Sequence, residues 1–301
     1  MHDGGAGRRY TSGMELTPLR YFVRAADRQN FTRAASELHV SQPALSRAVA
    51  GLERELGRPL FERDGRRVRL TDAGRTFRDR AGRILALADD AAAEIADDGE
   101  TGTVRLAAIP TLAPYRLPAA LARFAERKPR ADVRVCEDVT AECVRRLRTG
   151  DSDLALIALP CPDPALKTEI LYEEELLAAL PAAHPLAAAD RVTVADLEPE
   201  PFVLLGEAHC LSGAVESFCR RARVSPVVVE RTSQLATVVA LVAAGHGVSL
   251  VPAAAAAPGG GVVYRSLSGD RPTRTAAAAW NPDRFVSRLT RAFLGVLKES
   301  P

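Results

Sequence analysis

"NFTRAASELHVSQPALSRAVAGLERELGRPLF", residues 30–61, carries two runs of helical spacing with one break between them. Thr32 to Leu38 reads as a short helix and His39-Val40 as a turn. Ser41 then reads as the N-cap of a second helix, with Pro43 in its opening turn, where a missing N–H costs nothing. Ala44, Leu45, Ala48, Leu52 and Leu56 recur on one side of that helix and predict its inward face. Ser41, Gln42, Ser46 and Arg47 stay outward near its N-terminal end. Just upstream, "TPLRYFVRAADRQN" (17–30) predicts another helix, with Pro18 in its first turn and Leu19, Phe22, Val23 and Ala26 as its apolar stripe.

A short helix, a tight turn and a second helix with polar residues at its exposed start form a helix-turn-helix. The second helix enters a major groove about 12 Å wide, where Gln pairs with adenine and Arg with guanine edges. A plain three-helix bundle has the same periodicity, and the following segment argues against it. "LFERDGRRVRLTDAG" (60–74) reads as a hairpin turning at Asp64-Gly65, with Arg63, Arg66, Arg67 and Arg69 around the turn. Such a wing grips phosphates and supplies salt-sensitive affinity while the helix supplies sequence choice. The candidate DNA contacts are therefore Thr32, Ser41, Gln42, Pro43, Ser46 and Arg47, with Arg63, Arg66 and Arg67 on the wing.

Charge distribution points the same way. Between Met14 and Leu85 there are fifteen Arg against nine Asp or Glu, whereas Ala86 to Glu100 holds six acids and no base. The net charge of +2 hides this asymmetry, which fits an N-terminal domain meeting a polyanion. The chain of 301 residues is 47% hydrophobic and 26% charged, enough for two or three cores. No apolar run approaches the roughly 18 residues of a membrane helix, and the N-terminus lacks the apolar block of a secretory signal, so a cytoplasmic protein is expected. The Gly-rich residues 1–13 are expected to be a disordered extension, with Met14 an alternative start. Five cysteines in a reducing compartment argue against a structural disulfide framework and leave core, metal or redox roles.

With these residues in place, "AAxxLxxSQPALS", "LExELGxxLFxR" and "LTxAG" resemble, motif by motif across 15–74, the DNA-binding domain of LysR-type transcriptional regulators. The resemblance implies a winged helix-turn-helix over 14–74, a linker and dimerisation helix over 75–99, and an effector domain over 103–301 with two subdomains like those of periplasmic binding proteins. It also implies double-stranded operator DNA, a homodimer or homotetramer and RNA polymerase as partners.

The remaining chain reads independently in the same sense. "TFRDRAGRILALADDAAAEIADD" (76–98) has Phe77, Ala81, Ile84, Leu85, Ala88, Ala92 and Ile95 at helical spacing, a seam suited to another copy of itself. From Thr103 the pattern alternates. "VRLAAI", "DVRVCED", "LALIAL", "LLAALP", "PFVLL", "PVVVE" and "GVSLVP" read as strands, with helices at 114–127, 140–149, 211–222 and 234–244. Alternation of this kind predicts an α/β fold with mostly parallel sheets and a ligand beyond the carboxyl ends of strands. Thr111 and Thr140 follow the first two strands, as helix caps, ligand contacts or both.

"GEAHCLSGAVESFC" (206–219) places Cys210 after a strand and Cys219 nine positions down the following helix. At about 1.5 Å of rise per residue, the two Cα atoms lie roughly 13 Å apart. A disulfide needs them within about 7 Å. If the pair bonds, the helix must unwind. Cys210, at a helix N-terminus beside His209, has surroundings that favour a thiolate. Core packing remains the alternative, and one His with two Cys at this spacing matches no usual zinc pattern. No metal or cofactor is expected.

"IPTLAPYRLP", "EAHCLSGAVESFC" and "LVAAGHGVSLVP" resemble the hydrogen-peroxide-sensing OxyR-type branch of the LysR family across most of 103–265. That resemblance implies Cys210 as the peroxide-reactive thiol and Cys219 as the resolving one. It also implies that Thr111, Thr140 and His209 line a peroxide pocket, and that the chain controls oxidative-stress genes. Trp280-Asn281 departs from the Tyr-Arg expected there, while Cys136, Cys143 and Cys161 read as structural. Two other readings use the same residues. A thiol peroxidase has no use for a winged helix-turn-helix, and a LysR-type regulator of a small organic effector would treat both cysteines as packing.

Overall fold

The computed structural model describes residues 14–64, 67–257 and 259–299, and divides into two compact units at Ala92/Ala93. The expected extension over 1–13 lies outside the described residues, as do Gly65 of the expected Asp64-Gly65 turn, Arg66, and the side chains of Arg63, Asp64 and Arg67.

The first unit opens with α1 (Leu16–Arg28), α2 (Phe31–Glu37) and α3 (Gln42–Leu56). The side chain of Asn30 caps α2 by accepting from the Arg33 N–H at 2.9 Å, so that helix starts one residue earlier than its pattern predicts. Between the helices His39 takes a left-handed φ of 54°, which makes the turn tight. Ser41 caps α3 by accepting from Ala44 N–H at 3.3 Å. On α3 the fully buried residues are Leu45, Val49 and Leu52. Ala44 and Ala48 are only half-buried, so the inward stripe runs through Val49 instead.

Strands β1 (Phe61–Asp64) and β2 (Arg67–Leu70) form the antiparallel wing, pairing Phe61 with Leu70. The Glu53 carboxylate on α3 accepts from the N–H groups of Leu60 (2.8 Å) and Phe61 (3.2 Å), which fixes where the wing leaves the helix. Phe61 packs against Phe22 and Phe31, with ring centroids 5.5 and 5.1 Å apart. Helix α4 (Asp72–Ala96) follows the wing, and Arg78 on it is held by Asp27 of α1 at 2.8 Å.

The second unit contains two subdomains with separate cores. In the first, β3 (Gly102–Ala108) pairs in parallel with β4 (Ala131–Glu137) and β5 (Leu154–Ala158), with α5 (Ala113–Arg127) and α6 (Thr140–Thr149) as crossovers. The 15-residue strand β6 (Lys167–Pro181) belongs to both subdomains. Its first half pairs with β11 (Thr273–Trp280), and its second half pairs with β9 (Ser249–Pro252) and β10 (Val262–Arg265). All these pairings are antiparallel, so the sheets are parallel only within the crossover units. The second subdomain begins inside β6, upstream of "PFVLL". That segment is β7 (Pro201–Leu205), parallel to β8 (Val227–Thr232), with α7 (Cys210–Arg221) between them and α8 (Leu235–Ala243) after β8. Helix α9 (Arg288–Glu299) closes the chain by packing on α5, where Phe124 and Phe293 meet edge-on at 5.1 Å.

Gly74, the glycine of "LTDAG", stands directly under the base of the wing. A Cβ there would lie 2.0 Å from the Leu60 carbonyl oxygen, which also accepts from Thr71 N–H. Gly74→Ala should therefore destabilise the first unit by about 1–3 kcal/mol through forced backbone displacement. A thermal unfolding transition of this unit unchanged by the substitution would contradict that reading.

Candidate functional site

On the first unit the exposed start of α3 presents Ser41, Gln42, Pro43 and Arg47, with Ser46 half-buried behind them and Thr32 exposed on α2. Arg63 and Arg67 lie on the wing strands. This is the helix-plus-wing arrangement that reads base edges and grips backbone phosphates together.

On the second unit a cleft of about 460 Å³ opens between the subdomains. One wall is Ala158, Leu159 and Pro160 after β5, with Thr273 and Arg274 on β11. The other wall is α7, which contributes Cys210, Gly213, Ala214, Ser217 and Arg221. Cys210 is the first residue of α7, with His209 at the N-cap position in extended conformation and making no side-chain cap bond. The Cys210 side chain is half-buried and packs against the core of the first subdomain, although its helix belongs to the second.

Cys219 sits nine residues on, in the same unbroken helix, fully buried in the second core. Burial pushes its thiol pKa up, opposed by a backbone hydrogen bond and reinforced by Glu216. Both cysteines are free thiols. The helix is anchored by Ser212, whose hydroxyl donates to the Leu205 carbonyl at 2.5 Å, and by Glu216, paired with Arg231 of β8 at 2.7 Å.

Neither threonine caps a helix. Thr111 precedes the N-cap position of α5, and Thr140 is the first residue of α6 after Val139. Thr111 is buried, and its hydroxyl accepts from Arg274 Nη1 at 2.8 Å while its carbonyl accepts from Nη2 at 2.8 Å. The Thr140 hydroxyl is buried without a hydrogen-bond partner among the described residues. Of the three expected pocket residues, Thr111, Thr140 and His209, none is in the cleft wall, and of the two redox cysteines Cys210 alone is; Thr111 is joined to the wall through Arg274.

Arg274 is the residue the sequence reading missed. It lies on β11, pairs with Glu174 on β6 at 2.7 Å, and both side chains are almost wholly buried. Glu174 in turn accepts from Ala254 N–H at 3.2 Å. The available signal was a lone arginine in the otherwise small, uncharged run "TRTAAAAW". The remaining cysteines divide by burial. Cys143 is fully buried, and its thiol is pushed up to about 12 by burial first and then by Asp138, while Cys136 and Cys161 are half-buried.

A DNA-reading winged helix-turn-helix followed by a two-subdomain domain with an inter-subdomain cleft defines the class as a ligand- or signal-responsive transcriptional regulator. Residues 10–75 match the bacterial regulatory helix-turn-helix proteins of the lysR family, and residues 97–301 match the LysR substrate binding domain. The chain belongs to the LysR family of DNA-binding regulators. It is 41% identical over 243 residues to a probable hydrogen peroxide-inducible genes activator of Mycobacterium avium, covering 80% of this chain and 78% of that one. A full-length OxyR from Pseudomonas aeruginosa carrying a Cys-to-Asp substitution superposes with a TM-score of 0.79 at 33% identity, covering 96% and 94% of the two chains. A hydrogen-peroxide-bound Cys-to-Ser mutant of OxyR from Corynebacterium glutamicum gives 0.61 at 31% identity, covering 96% and 92%.

Two substitutions separate the sites. Arg47→Ala should cost about 1–3 kcal/mol of specific DNA affinity and leave the second unit folded. Equal gel-shift titrations for parent and variant would remove Arg47 from base reading. Arg274→Ala leaves the Glu174 carboxylate buried and unpaired, a loss of about 3–5 kcal/mol in the second unit. Denaturant unfolding that matches the parent would show that the pair bears no such strain.

Proposed function

We propose that the chain is a hydrogen-peroxide-sensing transcriptional regulator that controls oxidative-stress genes through thiol chemistry at Cys210 and Cys219. The observation that carries this reading is the placement of Cys210. It is a half-buried thiol at a helix N-terminus in a cleft wall, with a second thiol on the same helix. The names of the relatives point to the same signal.

In this reading the Cys210 thiolate attacks one peroxide oxygen and the O–O bond breaks. The other oxygen leaves as hydroxide, which is protonated to water, and Cys210 becomes a sulfenic acid. The Cys219 sulfur then attacks the Cys210 sulfur and displaces water, giving a disulfide. Thr111, Thr140 and His209 are assigned to the peroxide pocket, Thr111 through its bonds to Arg274. Thr32, Ser41, Gln42, Pro43, Ser46 and Arg47, with Arg63, Arg66 and Arg67 of the wing, are assigned to operator DNA. Of the expected seam, Ala81 and Leu85 are buried in the first unit's own core and Phe77 packs against it, so the seam cannot run through them; Ile84, Leu87 and Ile95 of α4 are exposed apolar residues, and we assign these to a homodimer seam from which a tetramer is built. RNA polymerase is the assigned partner at the promoter and the cytoplasm the assigned compartment. Among the described residues no helix is long and apolar enough to cross a membrane.

One observation favours a second reading, a small organic effector. A cleft of about 460 Å³ exceeds what a single peroxide fills and falls in the range of about 300–1,000 Å³ typical of ligand sites.

Footprinting on the chain's own upstream DNA distinguishes the two. With one equivalent of peroxide the parent should change its footprint and Cys210→Ser should not. A Cys210→Ser footprint that responds like the parent's excludes the thiol sensor and leaves the effector reading.

A further inference from the structure

We propose that Cys161 is a second resolving thiol for Cys210, forming a disulfide across the cleft that leaves α7 helical. The proposal rests on the peroxide-thiol reading above and adds a modification site that the resemblance does not imply.

Leu159 and Pro160 line the wall facing α7, and Cys161 is the next residue of that segment. Cys161 and Cys210 are both half-buried, and both pack against the core of the first subdomain. The Cys161 sulfur is tied only weakly, donating to the Asp163 carbonyl at 3.5 Å. Cys219 reaches Cys210 only by a larger rearrangement. Cys219 is fully buried in the other core, its thiol is pushed up by that burial, and it is held roughly 13 Å of helix away from Cys210.

The two routes need different motions. Bonding Cys219 requires α7 to unwind, with loss of the Ser212 and Glu216 anchors. Bonding Cys161 requires the cleft walls to close about the crossing strands β6 and β11 until the Cα atoms stand within about 7 Å. Closure of two packed bodies about connecting strands is an ordinary hinge movement that leaves each core intact.

The chemistry balances with peroxide as oxidant. Cys210–SH and H2O2 give Cys210–SOH and water. Cys161 sulfur then attacks the Cys210 sulfur, the S–O bond breaks, and the hydroxide leaves as a second water after taking the Cys161 proton. Two thiols lose two hydrogens in all.

The test uses the full chain as Cys219→Ser, given one equivalent of peroxide and mapped by non-reducing peptide mass. The expected result is a loss of two hydrogens, a crosslink between the Cys161 and Cys210 peptides, and unchanged hydrogen exchange over residues 211–218. In Cys161→Ser/Cys219→Ser the same treatment should leave a Cys210 sulfenic acid that dimedone traps. A Cys219→Ser chain with dimedone on Cys210 and a fully alkylatable Cys161 overturns the proposal, as does a Cys210 crosslink between two chains. If Cys210 takes no dimedone in the double variant either, the peroxide reading itself fails and this proposal with it. Circular dichroism matched to the parent establishes that each variant is folded, and Cys161→Ala substitutes for Cys161→Ser if it is not.

Discussion

Eight residues of unbroken helix separate Cys210 from Cys219, and the rigid rise of that helix is what the proposed thiol chemistry has to overcome. Leu211, Val215 and Phe218 are buried along it, each contributing on the order of 1.5–3 kcal/mol that is lost if the segment unwinds. The Ser212 and Glu216 bonds add to that resistance. A bond between the two thiols and a folded α7 are therefore mutually exclusive, and in the proposed reading a Cys210–Cys219 bond would itself be a change of shape without any separate trigger. A thiol pair placed within bonding distance in the folded chain would record peroxide and move nothing.

Strand β6, paired with β11 over its first half and with β9 and β10 over its second, links the two cores of the second unit. Arg274 and Glu174 face each other across β11 and β6, and Arg274 also holds both oxygens of Thr111 at the end of β3. A buried ion pair is costly to assemble and worse to break, so its value here is positional. It ties Thr111 to Arg274, which lines the cleft opposite Cys210.

Much of this was legible in the residues. Ser41, the His39 turn and the Asp64-Gly65 hairpin announce the winged helix-turn-helix, because caps and turns are local chemistry. The crossovers from β3 to β5 and from β7 to β8 follow from alternation of apolar runs with helical spacing. Strand β11 escaped because "TAAAA" has the composition of a helix. Its alanines are buried between β6 and β5, so tertiary position and not composition makes them a strand. Strand β10 and helix α9 lie past the last clear alternation. Arg274 was hidden for a different reason: its partners Glu174 and Thr111 are 100 and 163 positions away, and no local pattern encodes such a pair. Val49 replaced Ala44 and Ala48 in the α3 core because the tilt of that helix is set by what it packs on.

The central claim is that oxidation at Cys210 is coupled to the structure of α7. Hydrogen exchange over residues 211–218 of the parent chain, measured before and after stoichiometric peroxide with the disulfide mapped in the same sample, tests it most directly. The account predicts that protection in this segment falls as a Cys210–Cys219 bond accumulates, while the Arg47 helix of the first unit keeps its own protection. A mapped Cys210–Cys219 bond with protection over 211–218 unchanged, or thiols that stay reduced under peroxide, would contradict it.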